Sequence, residues 1–270
     1  MAKTCISTIV VQNILRTVSI GRTKNTGESM TQNHQLAQEL IAEAEKKYGF
    51  RAGIAAVDDV LDGPSYKAEA VGSWETNHSE NITPWLENAH SLLVLVMHHP
   101  EDDPRLDWFD RGNTAGNRHM TKVSEELADW VYSTHGVRAQ PLPYHVEKGG
   151  VYLKDAAFFA GLGVVGKNNL LLDRKWGPRV RLRAVLIEGS LPSGRPLDEF
   201  QPCQSCDMPC RKACPEDAFA QGQYDRPTCI QRLNSDRANP IDSGQRDSKG
   251  SPILVTDWCR RCEFACPVGE

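Results

Sequence analysis

Apolar and polar positions in the first two thirds of the chain alternate between helical and strand periods. From Thr31, a residue type that caps helix starts, Leu36, Leu40, Ile41 and Ala44 recur at three- to four-residue steps on one helix face, and Gly49 stops it. Residues 50–57 read as a strand, and residues 91–97, with Leu-Leu-Val-Leu-Val at the centre, as a strand buried on both faces. Residues 100–116 are rich in Asp, Pro, Gly and Asn and read as loop. A second amphipathic helix is predicted over 117–134, with Met120, Val123, Leu127, Trp130 and Val131 inward and Gly136 after its end. A third covers 152–160 and runs into Gly161. Strands are predicted at 170–172 and 180–187, the latter setting Val180, Leu182 and Ala184 against Arg181 and Arg183.

This pattern divides the chain into a flexible extension (1–30), an α+β domain (31–190) and a closing segment (200–270). Gly189, Pro192, Gly194 and Pro196 mark the linker. The 270 residues suit one large or two modest domains. The net charge of −4 offers no general basic surface and counts against tRNA or DNA as a tightly held partner. No apolar run reaches the ~18 residues of a membrane span. The apolar stretch from Ile6 to Ile14 is short, broken and without a cleavage site, so a cytoplasmic protein is expected.

Of nine cysteines, eight crowd between Cys203 and Cys266; Cys5 stands alone. A disulfide framework would spread them more evenly. The first group reads Cys203-x2-Cys206-x3-Cys210-x3-Cys214-Pro215. Cys229 follows, then Cys259-x2-Cys262-x3-Cys266-Pro267. Close cysteines ending in Cys-Pro, whose last sulfur serves the other cluster, are the pattern of two-cluster bacterial ferredoxins. Crossing the ligands that way gives Cys203, Cys206 and Cys210 with Cys266, and Cys214 with Cys229, Cys259 and Cys262. Two 4Fe–4S cubanes are filled with no thiol left over. Asp207, Met208 and Pro209 make the second spacing one residue longer than that run. Zinc is the alternative, since Cys-x2-Cys pairs also bind it; the repeated Cys-x3-Cys-Pro endings favour iron–sulfur.

Gly161-Leu162-Gly163-Val164-Val165-Gly166 has the glycine spacing of a dinucleotide site, but that site needs a strand before it and a helix after. Here the order is reversed, so the glycines are expected to end a helix and admit a close backbone approach. Glu147 reads as a loop carboxylate. His98 and His99 are adjacent on a strand and point opposite ways, which argues against shared metal ligation. Arg111 and His119 flank a helix start and need no functional reason.

Together, Ala160-Gly161-Leu162-Gly163-x2-Gly166-Lys167-x2-Leu170, the run from Cys203 to Pro215, Cys229-Ile230 and the run from Cys259 to Pro267 resemble the epoxyqueuosine reductase family of cobalamin-dependent iron–sulfur reductases. The resemblance covers most of residues 145–267. It implies an α+β fold: a nitroreductase-like, cobalamin-binding type of domain followed by a ferredoxin-like domain with two 4Fe–4S clusters. Electrons would come from an external donor of ferredoxin or flavodoxin type and reach cobalamin, and then a small-molecule or modified-nucleoside substrate. No residue is assigned to the corrinoid. Glu147 falls where that family carries an aspartate proposed as proton donor, which makes it the catalytic candidate. Because the sequence stops after the second cysteine run, a short form without the family's C-terminal extension is expected. A two-cluster electron carrier without catalysis and a reductive-dehalogenase-like enzyme are the alternatives.

Overall fold

The computed structural model describes residues 27–70 and 82–269. The expected extension 1–30 lies outside these, apart from 27–30, which begin the first helix. The helices and strands are α1 (Gly27–Tyr48), β1 (Arg51–Ala56), α2 (Val57–Leu61), α3 (Pro64–Ala70), β2 (Ala89–His98), β3 (Phe109–Asp110), β4 (Asn113–Thr114), α4 (Ala115–His135) and β5 (Ala139–Pro141). They continue as α5 (Leu153–Phe159), β6 (Val164–Val165), β7 (Leu171–Leu172), β8 (Val180–Glu188), α6 (Pro209–Lys212), α7 (Arg226–Ala238), β9 (Ile241–Arg246), β10 (Pro252–Val255) and α8 (Arg261–Phe264).

Two compact units are interleaved along the chain. One draws on residues 27–96, 123–162 and 182–196 within the described range; the other on 97–122, 163–181 and 197–269. Each recruits three separate stretches, so the units do not follow a single cut near residue 190.

The first unit is built on a four-stranded sheet of order β1-β2-β8-β5, with β1 antiparallel to β2 and β5 antiparallel to β8. Residues Leu92 to Val96 are fully buried in succession, as expected of a strand covered on both faces. Leu40 and Ala44 of α1 are equally buried, which is the predicted apolar stripe. The helix itself starts four residues before Thr31. No glycine or proline interrupts residues 28–31, so the turn propagates past the expected cap. Gly49 ends it with φ +71°.

Two burial expectations change. Arg183 is only 4 % exposed rather than facing outward, and its guanidinium lies over the Tyr144 ring. On α4, Ser124 and Ala128 complete the buried stripe of Met120, Val123, Leu127 and Val131, while Trp130 is half-buried and stacks edge-on against His135. The stretch expected as a linker is bound in place: Gly194 N–H donates to Ile54 O at 2.7 Å and Leu191 is buried.

In the second unit the loop 100–116 contains the β3–β4 hairpin. Phe109 exchanges two backbone hydrogen bonds with Thr256 at the end of β10, 2.9 and 3.0 Å long.

Candidate metal centres

The two Cys-x3-Cys-Pro runs fold alike. Helix α6 carries Cys210, is closed by Ala213 and is followed by Cys214; helix α8 carries Cys262, is closed by Ala265 and is followed by Cys266. The two helices pack against each other. The extra residue between Cys206 and Cys210 is absorbed by Met208, which takes a left-handed conformation (φ +55°), with Pro209 opening the helix behind it. Asp207 then pairs with Lys212 at 2.9 Å. Cys229 sits in the first turn of α7, capped by Asp225 through Thr228 N–H at 2.9 Å.

The thiols feel each other in two groups. Burial pushes Cys210 up from the usual thiol range, and the charges of Cys266, Cys206 and Cys203 push the same way. Cys266 is raised by burial and by Cys203 and Cys206. Burial pushes Cys262 up to about 12, with Cys259, Cys229 and Cys214 adding to it. Cys259 is raised by burial and, among the thiols, by Cys229. Thiols raised by burial and by one another ionise readily only when a cation joins them, which is the chemistry of a metal-thiolate donor set. Among the described residues, no three His, Cys, Asp or Glu side chains close around a position for a single ion. A cubane spreads its four thiolates over its corners, so the looser grouping fits it. The described cysteines are all free of disulfides. A cavity of about 530 Å³ reaches one thiol of each group, Cys206 and Cys214, with Arg211, Lys212 and Asp217 in its wall.

Charged side chains hold the closing run in place. Asp236, buried on α7, accepts Cys259 N–H at 2.9 Å and Arg232 Nε at 2.7 Å. Arg179 donates to Cys266 O at 3.3 Å and Val268 O at 2.9 Å. Gly177 leaves room for this contact, since a Cβ there would stand 1.8 Å from Val268 O. Between the two thiols of α8 and its approach, buried Arg260 donates Nε to Glu263 and Nη2 to His99 O at 2.8 Å, while Nη1 lies 2.9 Å from His99 Nε2. Arginine only donates, so His99 accepts through Nε2 and carries its proton on Nδ1. Burial, helped by Arg260, lowers His99 to about 2 and keeps it neutral. His98 instead stacks on Trp176, ring centroids 5.1 Å apart, so the two histidines part as expected.

Glu147 lies in the other unit, in a single 3-10 turn (Val146–Lys148), partly buried, with Oε1 3.2 Å from His145 Nδ1. The turn is braced by Thr83 N–H on Lys148 O (2.9 Å) and Trp85 Nε1–H on Gly149 O (2.6 Å). The glycine segment follows a helix and enters the β6–β7 hairpin, not a dinucleotide turn. Gly161 (φ +72°) closes α5, and Gly163 abuts Leu172 O, where a Cβ would come within 2.5 Å. Arg111 pairs with Asp110, and His119 lies on α4. Sequence reasoning missed Arg179, Asp236 and Arg260, and weighed His99 only as a metal ligand. Of these, only Arg260 carries a local signal, its place between Cys259 and Cys262.

No family model matches the chain. Among curated proteins it is similar to the epoxyqueuosine reductases of Synechocystis sp. (28% identity over 216 residues, 73% of this chain and 69% of that protein) and Gloeobacter violaceus (26% over 249 residues, 84% and 74%). The match to that of Leadbetterella byssophila reaches 31% identity over 108 residues, 40% of this chain but only 34% of that protein. The chain is similar to epoxyqueuosine reductases. Its mixed α/β fold is similar to a solved epoxyqueuosine reductase (TM-score 0.60, 21% identity, 87% of this chain and 65% of that one). A second, with an epoxyqueuosine-modified tRNA stem loop, gives the same TM-score at 22% identity. A catabolic reductive dehalogenase covers 98% of this chain and 36% of its own (TM-score 0.54, 17% identity). The expectation against tRNA is not supported: a solved epoxyqueuosine reductase of similar fold holds a modified tRNA stem loop. Among the described residues no helix is long and apolar enough to cross a membrane.

Proposed function

We propose that this chain is an iron–sulfur oxidoreductase that reduces a modified nucleoside, free or within tRNA. Cys203, Cys206, Cys210 and Cys266 hold one 4Fe–4S cluster; Cys214, Cys229, Cys259 and Cys262 hold the other. An external one-electron donor of ferredoxin or flavodoxin type feeds them, and cobalamin is bound with the substrate in residues 31–190. When bound, the clusters supply one-electron transfer and the corrinoid a strongly reducing cobalt.

What supports the reading is that Cys210 feels Cys266, Cys206 and Cys203, while Cys262 feels Cys259, Cys229 and Cys214. In this reading Cys210, Cys259, Cys262 and Cys266 ionise as metal binds, which offsets the burial that raises them. Glu147 carries the proton delivered to the substrate on its carboxyl oxygen, and the braced turn around it fixes where that oxygen points. The likeness to epoxyqueuosine reductases supports a reductase and a nucleoside substrate.

Protein purified without air is expected to be brown, with iron and sulfide each near ~8 per chain. Zinc in place of iron defeats the proposal. Glu147→Gln is expected to abolish nucleoside reduction at unchanged iron content; full turnover removes Glu147 from the mechanism. If neither cobalamin nor a nucleoside binds the iron-loaded chain, a two-cluster electron carrier is the reading that stands.

A further inference from the structure

The closing run 259–266 supplies ligands to both proposed clusters, and side chains of opposite charge hold its two ends. At the start, Cys259 N–H donates to Asp236, but that carboxylate is itself bonded to Arg232 at 2.7 Å, so its charge is balanced. Glu263, next to Cys262, is balanced in the same way by Arg260. At the other end, both hydrogen bonds of Arg179 go to carbonyls, Cys266 O and Val268 O, and neither goes to a carboxylate. The first ligand set therefore faces a cation fixed on the backbone of one of its own ligands, whereas Arg232 and Arg260, which flank Cys259 and Cys262 of the second, are each bonded to a carboxylate.

Reduction of a cluster adds one negative charge, and a fixed cation nearby stabilises the reduced form. We propose that Arg179 is a potential-setting residue, holding the cluster of Cys203, Cys206, Cys210 and Cys266 at a higher reduction potential than that of Cys214, Cys229, Cys259 and Cys262. An electron accepted from the external donor then resides, at equilibrium, on the cluster of Cys266. This inference rests on the two-cluster reading above.

The test is a redox titration of the iron-loaded full chain followed by low-temperature electron paramagnetic resonance. Two one-electron waves are expected, and Cys266→Ser, which perturbs only its own cluster, marks the upper one. Arg179→Gln is expected to shift the upper wave downward by about tenfold in equilibrium constant, about 59 mV for a one-electron couple, and to leave the lower wave in place. Arg179→Lys keeps the charge and restores most of the shift, which a purely structural role would not predict. Should Arg179→Gln fail to accumulate, Asp236→Asn exposes the charge of Arg232 and is expected to raise the lower wave and narrow the gap. An upper wave unmoved in Arg179→Gln, a mark on the lower wave by Cys266→Ser, or an unchanged gap in Asp236→Asn overturns the inference. A wild-type chain without iron and sulfide defeats instead the reading beneath it.

Discussion

The sheet unit and the cysteine segment 197–269 are each held by different forces within themselves. In the sheet unit, Leu92 to Val96 are fully buried in succession, and Leu40, Val57, Val60, Leu127 and Ile187 close over the same core. Between residues 197 and 269, burial is sparse and mixed: Cys210, Ala218, Phe219 and Val255 on the apolar side, Asp236, Thr256 and Arg260 on the polar side. The first unit has the apolar area that folding needs by itself. The cysteine segment has short helices, polar pins and desolvated thiols, so in the proposed reading the bound metal supplies a large part of its folding free energy. A chain can thus carry a self-sufficient scaffold and a segment whose order depends on what it binds.

The sharpest way to break this comparison is to remove the metal. Chelation of iron from the air-free protein is expected to strip amide-exchange protection from residues 203–266 by several kcal/mol while residues 89–96 keep theirs. Equal protection with and without iron would show that the cysteine segment is as self-sufficient as the sheet.

The converse substitution acts on the sheet. Leu95 is fully buried, and Leu95→Ala is expected to cost about 2–5 kcal/mol in thermal or denaturant unfolding of the iron-loaded protein. Iron content measured before unfolding should stay at the wild-type level. A loss below ~1 kcal/mol would mean that the apolar core is not what holds that unit.

The smallest effect concerns His99, whose neutral ring takes a hydrogen bond from Arg260. Its folded pKa of about 2 lies below the ordinary 6.5, so the unfolded chain binds a proton that the folded one refuses. The contribution is therefore fully present above pH 6.5 and lost as pH falls below it, by at most about 1.4 kcal/mol per pH unit. His99→Gln, which keeps an acceptor for Arg260 and does not titrate, should flatten that part of the stability–pH curve. An identical slope in the variant would mean that His99 is not the group being protonated.

Much of the scaffold was legible from local order. The stripe of Leu40 and Ala44, the buried run at 92–96 and the helix-ending glycines Gly49 and Gly161 rest on periodicity and backbone freedom, which need only neighbours in sequence. The likeness of the two Cys-x3-Cys-Pro runs was also visible, and each becomes a four-residue helix closed by alanine. Arg183 shows where this stops. Alternation along β8 points it outward, yet the fold covers it and lays it on Tyr144. The start of α1 was misjudged for a different reason, since a capping residue type does not stop a helix that can propagate through it.

By itself the sequence determined which residues can be helix, strand or thiol ligand, because spacing and residue chemistry act over a few positions. Only the tertiary structure decided which side chains pin the closing cysteine run. Arg260 meets His99 across 161 residues and Arg179 reaches Cys266 across 87, contacts that no local pattern encodes. Those charges gain most where the surrounding fold excludes water, so their role exists only once the chain has closed around them.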